Sequence, residues 1–254
     1  MCTLIILRRP GHPWPLLLAG NRDEMPDRPW AAPDRHWQDR PELVAGLDRL
    51  ANGSWMGIND HGLASVVMNR ANSLGPDPQK RSRGELVLEA LDHAEATEAA
   101  QALSQLNPDA YRPFNLFVGD PQQAFWIRNA DGSIDTEEIP TGLHLLTSLE
   151  LNDESDPRIR HYLPLFREAA HPDPDIGEWD EWRELLASHD HPAGESRAAS
   201  MCFRLQTGLS TLSSSLIALP LNPGVDSRPV WLFSSGPPDR VDFESVDFES
   251  VELE

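Results

Sequence analysis

Residues 1–24 read Met1-Cys2-Thr3-Leu4-Ile5-Ile6-Leu7-Arg8-Arg9-Pro10-Gly11-His12-Pro13-Trp14-Pro15-Leu16-Leu17-Leu18-Ala19-Gly20-Asn21-Arg22-Asp23-Glu24. Two short apolar runs, Thr3 to Leu7 and Leu16 to Ala19, flank the turn formers Pro10-Gly11-His12-Pro13. Runs of this length, bounded by proline and glycine, predict a β-hairpin. Pairing Leu7 with Leu16 sets Cys2 opposite Asn21. The hairpin therefore brings a thiol beside Asn21-Arg22-Asp23-Glu24, the polar run that closes the second strand.

Outward from the hairpin, Met25 to Pro41 is rich in Pro, Arg, Asp and Trp and reads as an irregular surface loop. Trp55–Asn59 and Leu63–Asn69 read as strands around the turn Asn59-Asp60-His61-Gly62. Ser82-Arg83-Gly84-Glu85 has capping-box spacing, with Ser82 as N-cap and Glu85 at the third helical position. A helix follows it, and a second covers Glu95–Leu106. Further strands are expected at Phe114–Val118, Ala124–Arg128, Leu143–Thr147, Leu212–Leu219 and Pro229–Phe233. Helices are expected at Asp156–Ala170 and Trp179–Ser188, with a loop from His189 to Ser200. No linker composition stands out, so residues 1–240 read as a single α/β domain. Residues 241–254 read as an acidic C-terminal tail.

Composition excludes several classes of partner. Lys plus Arg number 21 against 41 Asp plus Glu, a formal net charge of −20. That charge opposes binding to nucleic acid or to an anionic membrane surface. No apolar run is long enough for stable membrane insertion, and the arginines after Leu7 do not fit a signal peptide. Two cysteines make no disulfide framework. The expected location is the cytoplasm. The nine histidines make no strong metal pattern; His189 and His191 flank Asp190 in a spacing able to hold an ion adventitiously, with a solvated loop the plainer reading, and no phosphate-binding or dinucleotide fingerprint occurs.

Cys2 carries the chemistry. Removal of Met1 would leave Cys2 with a free α-amino group, whose pKa near roughly 8 suits it to take the thiol proton. Such a nucleophile needs polar groups to fix the amine and donors for the oxyanion of a tetrahedral intermediate. Arg22 and Asp23 fit the first need and Asn69 the second. The plainer roles are a strand-end ion cluster for residues 21–24, a turn for Asn59 and Gly62, and strand-end capping for Asn69.

The ordered segments Met1-Cys2-Thr3, Asn21-Arg22-Asp23-Glu24, Gly53-Ser54-Trp55-Met56-Gly57-Ile58-Asn59, Asn69-Arg70, Arg83-Gly84-Glu85-Leu86-Val87 and Phe114-Asn115-Leu116-Phe117-Val118-Gly119-Asp120 resemble the NRDE family. That family includes the transport-and-Golgi-organisation 2 proteins. It is similar in turn to N-terminal nucleophile hydrolases of the choloylglycine hydrolase type. The resemblance implies an α+β fold, a four-layer αββα sandwich of antiparallel sheets. It also implies Cys2 as nucleophile and Asn69 as oxyanion donor; the branch's Arg and Asp, three residues apart, fall on Asn21 and Glu24 with Gly20 aligned, or on Arg22 and Met25 after a one-residue slip. Two positions depart from that branch: Ser148 stands where a second oxyanion asparagine is expected, and Leu212 where a late arginine is expected.

Two functions follow from the resemblance. One is cysteine-nucleophile hydrolysis of a non-peptide C–N bond in a small-molecule amide, with no cofactor required. The other is haem binding or haem trafficking on the same fold. There Cys2, a His or a Met would supply an axial ligand and tryptophans an apolar wall. A catalytically silent scaffold is the third reading.

Overall fold

The two apolar runs of the hairpin are buried throughout, from Leu4 to Leu7 and from Leu16 to Ala19. The computed structural model describes residues 2–75, 77–222 and 227–248. In chain order the elements are β1 (Thr3–Arg8), β2 (Leu16–Glu24), β3 (Trp30–Asp34), β4 (Leu43–Asp48), β5 (Met56–Asn59), β6 (Ala64–Asn69), α1 (Gly84–Leu91) and α2 (Ala96–Leu103). Then come β7 (Phe114–Gly119), β8 (Ala124–Ala130), β9 (Ser133–Glu138), β10 (Gly142–Leu146), α3 (Pro157–Glu168), α4 (Asp180–Ala187), β11 (Ser210–Leu219), β12 (Val230–Ser234) and β13 (Glu244–Ser245). They fall into two compact units, each an antiparallel sheet with two helices.

The first unit comprises Met1–Arg28, Thr141–Leu219 and Pro229–Ser245. Its sheet has the order β10-β1-β2-β11-β12-β13. Side chains alternate across a strand, so Ile5, Leu7, Leu17, Ala19, Leu143 and Leu145 share a core. Ile159, Tyr162, Leu163 and Phe166 of α3, with Trp182 and Leu186 of α4, fill that core. The helix α3 starts where the sequence demands: Pro157 occupies its first position, and the Asp156 carboxylate accepts the Arg158 N–H at 2.8 Å.

The hairpin register differs by one residue from the expected pairing. Arg8 still pairs, with Leu16, so Leu7 faces Leu17 and Thr3 faces Asn21. Arg9 N–H then closes the connection on Pro15 O at 2.8 Å, with Gly11 at φ +84°. A one-residue slip exchanges the faces of a strand. Cys2, just before β1, therefore continues the register toward Arg22 and not Asn21.

The second unit comprises Pro29–Pro140, Pro220–Arg228 and Val246–Glu254. Its sheet runs β3-β4-β5-β6-β7-β8-β9 in sequential order. Leu86, Val87, Ala90 and Leu91 of α1 and Ala96, Ala99, Ala100 and Leu103 of α2 pack with Leu43, Ala45, Leu116, Val118 and Ile127. Gly53 and Gly84 are needed where backbones meet. A Cβ on Gly53 would lie 2.6 Å from the Gly84 carbonyl carbon, and Ser54 N–H bonds Gly84 O at 3.0 Å.

Three local expectations are corrected. Met25–Pro41 is not wholly loop, because Trp30 and Ala31 pair with Asp48 and Leu47 and Trp30 meets Trp55 edge-to-face. The capping box does not close. The Ser82 hydroxyl accepts from Gly84 N–H at 3.2 Å, while the Glu85 carboxylate turns to Arg81. The acidic stretch from residue 241 contributes β13, which pairs with Leu232 and Phe233, and residues 249–254 lie outside the described residues. Among the described residues no helix is long and apolar enough to cross a membrane.

Candidate active site

The end of β2 carries Asn21, Arg22 and Asp23, all buried, in the middle of the first sheet between β1 and β11. Thr3 faces Asn21 from β1, while Ser214, Ser213 and Thr211 face Asn21, Arg22 and Asp23 from β11. The pairing shifts between Thr211 and Ser213, so Leu212 is the extra residue of a β-bulge. The position at which the resemblance expected a late arginine is thus a local backbone irregularity bearing a half-buried leucine.

Alternation sends Asn21 and Asp23 to one face and Arg22 to the other. The Asn21 amide is fully engaged. Its Nδ2 donates to Leu186 O and Met201 O, both at 2.9 Å, and its Oδ1 accepts from Ser214 Oγ at 2.7 Å. This ties β2 to the end of α4 and to the segment before β11. The Asp23 carboxylate is held by Thr211, whose hydroxyl donates to Oδ1 at 2.8 Å, and by Arg158, whose Nη1 donates to Oδ2 at 3.1 Å.

Arg158 was not singled out by the sequence. It comes from the first turn of α3 and is 2 % exposed. It donates to Thr3 Oγ1 and to Ala198 O as well as to Asp23. Its guanidinium also lies over the Phe203 ring, 5.3 Å from the centroid. A planar cation with several fixed donors suits such a junction, joining the start of β1, the end of β2 and the loop before β11.

Cys2 lies at this junction, half-buried. Its Sγ donates to the Asp23 carbonyl at 3.7 Å. Burial pushes the thiol up from its ordinary range, and the Asp23 charge adds to the rise, which Arg22 opposes without cancelling. The thiolate is the attacking form. Attack by this sulfur therefore calls for a base that removes the thiol proton.

The structure thus brings Cys2, Asn21, Arg22 and Asp23 together in the first unit. Asn69 belongs to the second unit, half-buried at the end of β6 and paired with Phe114. Asn59 anchors a turn. Its Oδ1 accepts from His61 and Leu63 N–H, and its Nδ2 donates to Leu91 O at the end of α1 and to His93 O just beyond it. Ser148, just beyond β10, is buried.

The sequence matches the model of the Transport and Golgi organisation 2 family over residues 1–218. The chain belongs to that family. No curated protein sequence matches it. Solved structures similar to this Transport and Golgi organisation 2 chain include the Caenorhabditis elegans ortholog of N-acylethanolamine-hydrolyzing acid amidase. It has 13 % identity, 97 % of this chain and 100 % of that one covered, and a TM-score of 0.56. Penicillin V acylase from Agrobacterium tumefaciens has 15 % identity, 92 % and 83 % coverage, and a TM-score of 0.52. A variant of the conjugated bile acid hydrolase from Clostridium perfringens has 10 % identity, 98 % coverage of both chains, and a TM-score of 0.53. Likeness at these identities establishes the fold, which is that of the N-terminal nucleophile hydrolases.

Proposed function

We propose that this family member is a cysteine-nucleophile amidohydrolase acting on a non-peptide C–N bond of a small amide. The observation that carries the proposal is the placement of Cys2 Sγ, 3.7 Å from the carbonyl of an Asp23 whose carboxylate is locked by Arg158 and Thr211. Solved structures of similar fold are named as an N-acylethanolamine-hydrolyzing acid amidase ortholog, a penicillin V acylase and a conjugated bile acid hydrolase, which supports hydrolytic chemistry of that kind here.

With Met1 removed, the Cys2 α-amine takes the thiol proton as Sγ attacks the amide carbonyl carbon. The tetrahedral intermediate collapses, the C–N bond breaks, and the ammonium returns the proton to the leaving amine. Water, deprotonated by the same amine, then cleaves the thioester to the carboxylic acid and the free thiol. Asp23 and Arg22 set the charge around the amine, Arg158 and Thr211 position Asp23, and Asn21 holds the strand end. The oxyanion role of Asn69 rests on the family resemblance, and its test is a fall in kcat in Asn69→Ala without a matching rise in KM.

The direct test is hydrolysis of a panel of N-acyl amides, acyl p-nitroanilides first, by untagged protein. Turnover that vanishes in Cys2→Ala supports the assignment, and turnover equal in wild type and Cys2→Ala overturns it.

Several aromatic residues that a haem pocket could use are engaged elsewhere. Trp14, Trp179 and Trp182 fill the helix-packed core, Trp126 Nε1 is bonded to Asn115, and the buried His144 ring is held by Asn152. A hemin titration giving a Soret band altered by Cys2→Ala or a His→Ala variant would move the assignment to haem.

A further inference from the structure

In the first unit, His189 and Cys202, from the connection between α4 and β11, meet Asp239 from the β12–β13 turn. His189 follows α4, Cys202 precedes β11, and Asp239 lies in the turn between β12 and β13. Their ligand atoms all lie within 4.8 Å of one another. Cys202 Sγ is 3.3 Å from Asp239 Oδ1, and His189 Nε2 is 3.1 Å from Asp239 Oδ2. Ligands on a tetrahedral zinc ion sit roughly 3.3–3.7 Å apart, given metal–ligand bonds of about 2.0–2.3 Å. The two separations run to different oxygens of Asp239, so a small turn of the carboxylate and side chains within the 4.8 Å cluster would bring the three donors onto one ion.

A second observation fixes which imidazole atom faces the cluster. His189 Nδ1 lies 2.7 Å from the Cys202 carbonyl oxygen, an acceptor with no proton to give. Nδ1 therefore donates a proton to that carbonyl, and Nε2 faces the Asp239 carboxylate, where a metal ion would take the place of any proton on it. A histidine ligand oriented by a backbone carbonyl through its other nitrogen is the usual supporting arrangement of protein metal sites. The backbone is set as well. Cys202 N–H donates to Ser188 O at 2.9 Å, and Ser200 Oγ donates to His189 O at 2.9 Å. Arg240 Nε also contacts Asp239 Oδ2, at 3.3 Å, from a side chain 69 % exposed and free to swing aside.

We propose that His189, Cys202 and Asp239 form a binding site for zinc or a similar borderline divalent ion, completed by water. One nitrogen, one sulfur and one oxygen donor select zinc, cobalt or nickel over magnesium or calcium. Cys202 is buried and the His189 side chain is 60 % exposed, so the site opens to solvent on one side. On binding, the metal displaces the Cys202 thiol proton to solvent and clips the 189–202 segment to the β12–β13 turn. That segment supplies Met201 O to Asn21 and Ala198 O to Arg158. The ion is a structural brace behind the Cys2 site, and its existence does not depend on the proposed hydrolysis.

The test uses the full chain, stripped by a chelator and kept reduced, titrated with zinc and with cobalt. Expected are about one equivalent bound, a cobalt spectrum with thiolate charge transfer, and a zinc-induced rise in Tm. His189→Ala, Asp239→Asn and Cys202→Ser each weaken binding about tenfold or more. Cys2→Ser and His191→Ala leave it intact. His189 is exposed, so its variant keeps the test open even if Cys202→Ser does not fold. Absence of stoichiometric binding, or equal binding by wild type and His189→Ala, overturns the proposal and leaves an ion pair with a hydrogen-bonded thiol.

Discussion

Replacing Arg158 by Met removes one buried cation and keeps most of its volume. The loss falls on Asp23, whose side chain is 0 % exposed and whose Oδ2 accepts from Arg158 at 3.1 Å. Thr3 Oγ1 and Ala198 O lose a partner at the same time. Breaking a buried pair on one side costs about 3–5 kcal/mol, because the remaining charge stays out of water. At about 2–4 °C per kcal/mol for a chain of this size, Tm falls by roughly 6–20 °C. Asp23→Asn/Arg158→Met removes both charges, so the double variant loses less than the sum of the singles, by about 1–3 kcal/mol. Urea and thermal melts followed by circular dichroism read all four corners of the cycle. A loss under about 1 kcal/mol in Arg158→Met, or strict additivity, would refute the view that this pair anchors the site.

Three further outcomes are expected. Asn21→Ala removes the side-chain donor from Leu186 O and one of two partners from Met201 O and the Ser214 hydroxyl, which keep Thr211 Oγ1 and Gly20 O, and should cost about 1–3 kcal/mol in a urea melt; an unchanged midpoint would remove Asn21 from the scaffold. Gly53→Ala forces a Cβ to within 2.6 Å of the Gly84 carbonyl carbon, which should destabilise by about 1–3 kcal/mol or more, and a wild-type Tm would contradict the close approach. The chain's two tyrosines, Tyr111 and Tyr162, both have raised pKa values through burial, Tyr111 to about 12. Their contribution to stability is full below pH ~10 and is lost as pH rises through the folded values. Tyrosinate absorbance should therefore stay low at pH ~10 while the fold is intact, and half-titration there would contradict the burial argument.

Much of the fold was legible because short apolar runs and turn residues report local preference directly. The hairpin of β1 and β2, the turn anchored by Asn59, and helices α3 and α4 all follow from such signals. The hairpin register was one residue out because the turn is set by Arg9 bonding Pro15, a contact that the proline-rich loop does not advertise. The strand β3 was hidden among Pro, Arg and Trp, since its pairing depends on β4 and on Trp30 meeting Trp55. In the site, Cys2 and residues 21–24 were legible from position and motif. Arg158 and Thr211 were not, because they reach Asp23 from 135 and 188 residues away in sequence. Nothing in the spacing of residues 189, 202 and 239 resembles a metal motif either, since the α4–β11 connection must fold against the β12–β13 turn before those atoms meet.

The central claim is that Cys2, with its amine free, is the nucleophile. Its most direct test is intact-mass spectrometry of untagged protein before and after incubation with an acyl p-nitroanilide. The account predicts a mass short of one methionine, and a further acyl increment that maps to Cys2 and is absent from Cys2→Ala. Retention of Met1, or acylation and turnover undiminished in Cys2→Ala, would contradict it.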